Sequence, residues 1–257
     1  MLDELLLISG NDIPFADAGI TIHQPTIEEI AYIGEQSFFT GISFLRFSKS
    51  NLAIEQQEQL EQLDDFTIFM MLLQSTDIDA LVNRTAVEMV LTLMFPEYRV
   101  IIGKKEISFL SEEEGEVRTL RQEHFEEFKN IVYQMYAMEH TQGAQRDYDP
   151  KDELAKQIAN KIQRGRERLN QLKAQEHNGQ TPSILSRYIS ILAVGEQKDI
   201  NILKKYTVYQ LFDEFQRFNL KQSFDWDMRA RMAGATNLDE IEDWMKDIHS
   251  TSDNDNF

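Results

Sequence analysis

Apolar residues recur at three- and four-residue steps along much of this chain, and the densest run lies near its C-terminal end. Val208, Leu211, Phe212, Phe215 and Phe218 make a wide apolar helical face that must be covered. Thr207 stands before it as a cap, and Gln210, three residues on, completes a capping box. Thr181-Pro182 opens an earlier helix that ends near Gly195, and a short one follows Asp199. Leu220, Phe224, Met228 and Met232 form a four-residue-spaced stripe ending at Gly234. Thr236 and Asp239 give one more capping box, and Ile241, Trp244, Met245 and Ile248 a short amphipathic helix. Ser250–Phe257 is polar and reads as a flexible tail.

The N-terminal part mixes periods. Leu5–Ser9 and Ile20–His23 are short apolar or alternating runs separated by Gly10, Asn11, Asp12, Pro14 and Gly19, which predicts an extended start and a small hairpin. Pro25-Thr26-Ile-Glu-Glu29 opens a helix with Thr26 and Glu29 as its capping box. Phe38–Phe47 fits helix or strand equally well. Asn51–Leu63 reads as a polar helix, and Asp64-Asp65 start another over Phe66–Leu73. Asp77–Phe95 predicts a helix stopped by Pro96, with Ile78, Leu81, Val82, Val87, Val90, Leu91 and Met94 as its core positions. Tyr98–Ile102 and Glu106–Leu110 predict a hairpin about Gly103-Lys104. After the acidic Ser111–Glu116 loop, a helix from about Arg121 to Glu139 places Phe125, Phe128, Val132, Met135 and Tyr136 on one side.

The expected fold class is therefore mainly α with minor β. An N-terminal α+β region with short hairpins spans 1–140, a basic connecting helix and linker 141–180, a compact C-terminal helical region 181–249 and a tail 250–257. Asp149-Pro150 starts the connecting helix, whose apolar positions thin to a narrow stripe. No internal repeat or sustained heptad is present.

Charge narrows the function. A net charge of −18 opposes binding to nucleic acid and anionic membrane, and favours solubility or a basic protein partner. The local exception is Lys156, Lys161, Arg164, Arg166, Arg168 and Lys173. That block reads as a solvated helix face; the alternatives are an acidic face of a partner or sister subunit, or nucleic acid. Aromatic interleaving for base stacking is missing from it. Lys161, Arg164 and Arg168 are the partner-binding candidates there. Arg229 and Arg231 near Trp226 are two apart, so they cannot share a helix face; they suit the C-terminal dipole, or one reaches a partner. Trp244, Met245 and Ile248 either dock on the parent domain or form a recognition helix for another chain.

Catalytic and metal signatures fail one by one. With no cysteine, thiolate sites and disulfides are excluded. His124 and Glu127 have ligand spacing, but the second motif that a di-metal site requires is absent. Asp253-Asn-Asp255 lacks the glycine and glutamate of a calcium loop, and Gly103-Lys104-Lys105 lacks the upstream glycine of a phosphate loop. The expectation is a protein with no catalytic residues, metal or cofactor. Met-Leu-Asp-Glu-Leu-Leu-Leu-Ile fits neither a signal peptide nor a membrane span, which predicts a cytoplasmic protein.

Three stretches carry a family resemblance: Ile20-Thr-Ile-His-Gln-Pro-Thr-Ile-Glu-Glu-Ile-Ala-Tyr-Ile-Gly-Glu35, Leu93-Met-Phe-Pro-Glu-Tyr-Arg-Val100 with the Glu123–Ile131 helix, and Thr207–Phe218 leading into Trp226–Gly234. Together they resemble proteins from the tail-gene region of phages of Gram-positive bacteria. That resemblance implies a tail assembly chaperone or allied factor in the host cytoplasm. Its partners would be the tape-measure or other phage tail proteins, with self-association also open. The alternatives are a structural virion component and, through the basic helix, a nucleic-acid-associated regulator. The family brings no active-site residues. The basic helix and the acidic tail are departures from its pattern.

Overall fold

A computed structural model describes residues 2–49, 62–75, 78–111, 115–136, 182–234, 243–246 and 248. The expected helix over Asn51–Leu63 falls mostly outside them, as do the 141–180 connecting segment, the Thr236/Asp239 box, Ile241 and the tail. Met1–Ala137 with Tyr188–Phe257 forms one unit. Met138–Arg187 is the other, and almost all of it lies outside the described residues. The fold is mainly α with minor β.

The first helix overturns an expectation. Leu5–Ser9 is not extended but belongs to α1 (Glu4–Ser9). Asp3 caps it by accepting the Leu5 N–H, and Gly10 stops it at φ 70, a left-handed conformation open to glycine. In so short a segment the capping residues outweigh apolar alternation. The hairpin forms one step later, from β1 (Ile13–Phe15) and β2 (Ile20–Ile22), with Ile13 opposite Ile22 and Phe15 opposite Ile20. Those four side chains all face inward.

The Thr26 box starts α2 (Ile27–Ile33) as expected, and α3 (Glu35–Leu45) settles the ambiguous aromatic run as helix. Phe38, Gly41, Ile42 and Leu45 are its buried face. Asp64 caps α4 (Asp65–Gln74), accepting from the Thr67 N–H at 2.9 Å and hydroxyl at 2.7 Å. α5 (Ile78–Met94) packs on α3, where Ala86 and Val90 stand against Gly41, and buries Ala86, Val87, Val90, Leu91 and Met94. Leu81 and Val82, expected in the core, are 53% and 61% exposed.

The predicted hairpin is β3 (Tyr98–Ile102) with β4 (Ile107–Ser111), and a third antiparallel strand, β5 (Val117–Leu120), joins β4. α6 (Gln122–Met135) then crosses the core with Phe125, Phe128, Ile131, Val132 and Met135 buried. Phe125 sits 5.1 Å from Phe66 and 5.0 Å from Phe69, while Phe128 meets Phe15 and Phe95 at 6.0 and 6.3 Å. Rings from the hairpin, α4 and the end of α5 thus converge on one face of α6. Each such fully buried side chain contributes roughly 1.5–3 kcal/mol.

The C-terminal elements are α7 (Ile184–Gly195), α8 (Ile200–Leu203) and α9 (Val208–Met232). Ser183 accepts the Ser186 N–H at 3.0 Å, so α7 begins slightly after Thr181-Pro182. Asp199 caps α8, and the Thr207–Gln210 box caps α9. The Leu220–Met232 stripe is the continuation of α9, one helix of 25 residues. Tyr188 stacks on Phe215 at 3.8 Å and meets Phe212 edge-on at 4.9 Å.

Candidate interaction surface

The first N–H groups of any helix lack intrahelical acceptors. In α2 these are Thr26, Ile27, Glu28 and Glu29. The capping box satisfies two: Glu29 donates its N–H to Thr26 Oγ1 at 3.3 Å, and Thr26 donates its N–H to Glu29 Oε2 at 2.7 Å. The C-terminal segment satisfies the others. Ile27 donates to the Tyr206 carbonyl at 2.9 Å and Glu28 to the Lys204 carbonyl at 2.8 Å. Thr26 and Thr207 pair as an antiparallel bridge, so the two capping boxes lie side by side.

The end of α1 is completed in the same way. Gln24, 2% exposed, donates to the carbonyls of Leu6 and Asn11 at 3.1 and 2.6 Å. Gln210 accepts the Thr207 N–H at 2.9 Å and donates to the Ile8 carbonyl at 2.8 Å. Gly10 leaves room for that amide, because a Cβ there would stand 3.0 Å from Gln210 Nε2. Lys204 and Glu28 add a solvent-facing ion pair at 2.8 Å. This junction fixes the start of α9 on the N-terminal elements.

Beyond its start α9 changes character. Val208, Tyr209 and Leu211 are buried, and no residue from Phe212 to Met232 is. Trp226 is 67% exposed and Met232 84%. Met228 and Met232, four apart, share a helix face, whereas Trp226 occupies another. Arg229 is exposed and Arg231 half-buried, both in the last turn where the helix dipole favours cations.

The expected Trp244 helix is corrected over its described part, since Asp243–Lys246 forms a turn. Asp243 Oδ1 accepts the Met245 N–H at 2.9 Å, and such local aspartate bonds compete with helix. Arg217 of α9 donates to the carbonyls of Trp244 and Lys246, fastening the turn to the helix. Trp244 and Ile248 are half-buried and Met245 exposed. Lys161, Arg164 and Arg168 lie outside the described residues. The structure thus brings α9 and the Trp244–Lys246 turn together. Sequence reasoning missed Arg217, which stands among aromatic neighbours with nothing local to mark it. It also missed the exposed Ile200 and Ile202 of α8; their spacing of two, which cannot share a helix face, was the available signal.

Among the described residues no group of three or more His, Asp or Glu is placed to hold a metal ion, and no helix is long and apolar enough to cross a membrane. No curated protein and no solved structure matches the chain. Residues 175–249 match the family model of the YomV second domain, YomV being a Bacillus phage protein. The matched stretch contains α7, α8, α9 and the Trp244–Lys246 turn. Over that segment, which contains the exposed Trp226, Met228, Met232 and Met245, this chain is similar to a phage-associated domain.

Proposed function

We propose that this protein is a phage assembly factor of the tail assembly chaperone class, acting by protein–protein contact and not by catalysis. The observation that carries the reading is the exposure of Trp226, Met228 and Met232 along the second half of α9, inside the segment similar to the YomV second domain. Large exposed apolar side chains on a chain of charge −18 suit a surface that is covered for part of its life while the remainder repels like complexes. Methionine is the adaptable residue for such a surface.

Magnitudes favour a reversible contact. Burying a Met or a comparable side chain contributes roughly 1.5–3 kcal/mol, whereas association costs on the order of 4–15 kcal/mol before net affinity appears. Covering Trp226, Met232 and Met245 alone gives a weak complex. A tighter one needs the partner to wrap the helix and reach the half-buried Leu220 and Phe224 as well. Weak, releasable cover is what a chaperone of the apolar, helical tape-measure protein requires in the host cytoplasm.

The test is co-expression with a tape-measure fragment, scored as the soluble fraction. The full chain should raise it, and the Trp226→Ser/Met232→Ser double variant should not, with circular dichroism unchanged. A double variant as effective as the parent refutes the surface. Fixed stoichiometry of this chain in purified particles would favour a structural virion component instead.

A further inference from the structure

We propose that His23 is held as an imidazolium between the carboxylates of Asp12 and Glu29 and acts as a pH-sensitive clip on the cap of α2. Its Nδ1 lies 2.8 Å from Asp12 Oδ1, and its Nε2 3.3 Å from Glu29 Oε2. An ionised carboxylate only accepts hydrogen bonds, and a neutral imidazole has a single N–H. Both contacts are therefore made together only by the doubly protonated ring. The backbone that carries the ring is held in place, since the His23 N–H donates to the Met94 carbonyl at 2.8 Å.

Glu29 is the other half of the device. The oxygen facing His23 also accepts the Thr26 N–H at 2.7 Å and the Thr26 hydroxyl at 2.8 Å. That oxygen is thus shared between the clip and the capping box beside Thr207. Among the described residues, the charged groups on the ring are Asp12, in the loop before β1, and Glu29, in α2; the neighbouring α5 meets the His23 backbone through the uncharged Met94 carbonyl. Tyr136, after α6, feels the Glu29 charge, and its buried phenol stays protonated because burial raises it far above its ordinary value.

Burial lowers the pKa of His23, but the bonds to Asp12 and Glu29 outweigh it and leave the ring above its ordinary 6.5. Burial raises Glu29, and the Thr26 and His23 bonds outweigh that and leave it below its ordinary 4.5. A histidine raised on folding contributes stability that is complete below the unfolded value and lost as pH rises through the folded one. A glutamate lowered on folding contributes stability present above its unfolded value and lost as pH falls through the folded one. The clip is therefore at full strength between 4.5 and 6.5. When the proton leaves, the remaining N–H stays with the shorter Asp12 contact. Two acceptors then face each other at Glu29, and the α2 cap loosens.

The experiment is a titration of the imidazole nitrogens of the full chain by NMR, together with the amides of Thr26 and Glu29. His23 should titrate above 6.5, the two amides should move with the same midpoint, and Asp12→Asn, at a solvent-facing position, should lower it. Unfolding by urea gives the second reading. Parent stability should fall from pH 6.5 to 8.5, and the fall should be smaller in His23→Gln. A His23 midpoint at or below 6.5, a midpoint that Asp12→Asn leaves in place, or the same fall in His23→Gln overturns the clip.

Discussion

Gly41→Ala sets two opposed effects against each other, and the geometry decides the sign. Alanine in place of glycine inside a helix gains about 0.8–1.0 kcal/mol of intrinsic propensity. Were α3 free on that side, the variant would be more stable. A Cβ at position 41 would instead stand 2.6 Å from the Ala86 carbonyl oxygen and 2.6 Å from Val90 Cγ2, where ordinary contact begins at 3.4 Å. The first obstacle is backbone, and the second is a β-branched side chain whose rotamer in a helix is nearly fixed. Neither yields, so α3 and α5 must move apart. Overpacking of this kind costs typically about 1–3 kcal/mol. Because one obstacle is backbone, the cost belongs at the upper end of that range, about 2–3 kcal/mol. Set against the propensity gain, the net loss should be about 1–2 kcal/mol, which corresponds to roughly 2–8 °C in melting temperature for a chain of this size. Thermal and urea unfolding of the full chain would measure it, with an unchanged urea slope expected. A Gly41→Ala variant as stable as the parent, or more so, refutes the close approach of α3 to α5.

Two other perturbations test the junction and the core. Thr207→Ala removes the cap of α9 at the bridge to Thr26 and should cost about 1 kcal/mol in urea unfolding; no loss would mean that the paired boxes do not hold the two ends together. Lys129, 11% exposed, bonds Asp65 at 2.7 Å and Glu126 at 2.8 Å, so Lys129→Met should destabilise at pH 7 by roughly 1–3 kcal/mol. Burial raises Asp65, but its bonds to Lys129, Lys49 and Ser48 outweigh that and hold it below its ordinary 3.8. Its contribution is present above 3.8 and lost as pH falls through the lower folded value. The gap between variant and parent should narrow below pH 3.8, and a gap that stays constant into acid would place the effect elsewhere.

Helix starts were legible because their chemistry spans three residues. Thr26 with Glu29, Thr207 with Gln210, Asp64 and Asp199 each mark a boundary that the structure keeps. The core face of α6 was legible for a similar reason, since Phe125, Phe128, Val132, Met135 and Tyr136 repeat at helical spacing and all are buried. Short segments were not. Leu5–Ser9 satisfies helical and extended patterns alike, and the few residues of β5 carry too little alternation to show a strand. At the candidate surface Trp226 and the methionine stripe were visible in the sequence. The Asp243 turn and its Arg217 anchor were not.

What the chain's order of residues determined, then, is where helices begin and which faces are apolar, because both depend on neighbours within one or two turns. The tertiary structure alone decided which apolar positions find cover. Val90 is buried and Val82 exposed on one helix. It also decided that the segment leading into α9 completes the start of α2: Ile27 and Glu28 need acceptors that no nearby residue provides, and the carbonyls of Tyr206 and Lys204 reach them only once the distant parts of the chain have met.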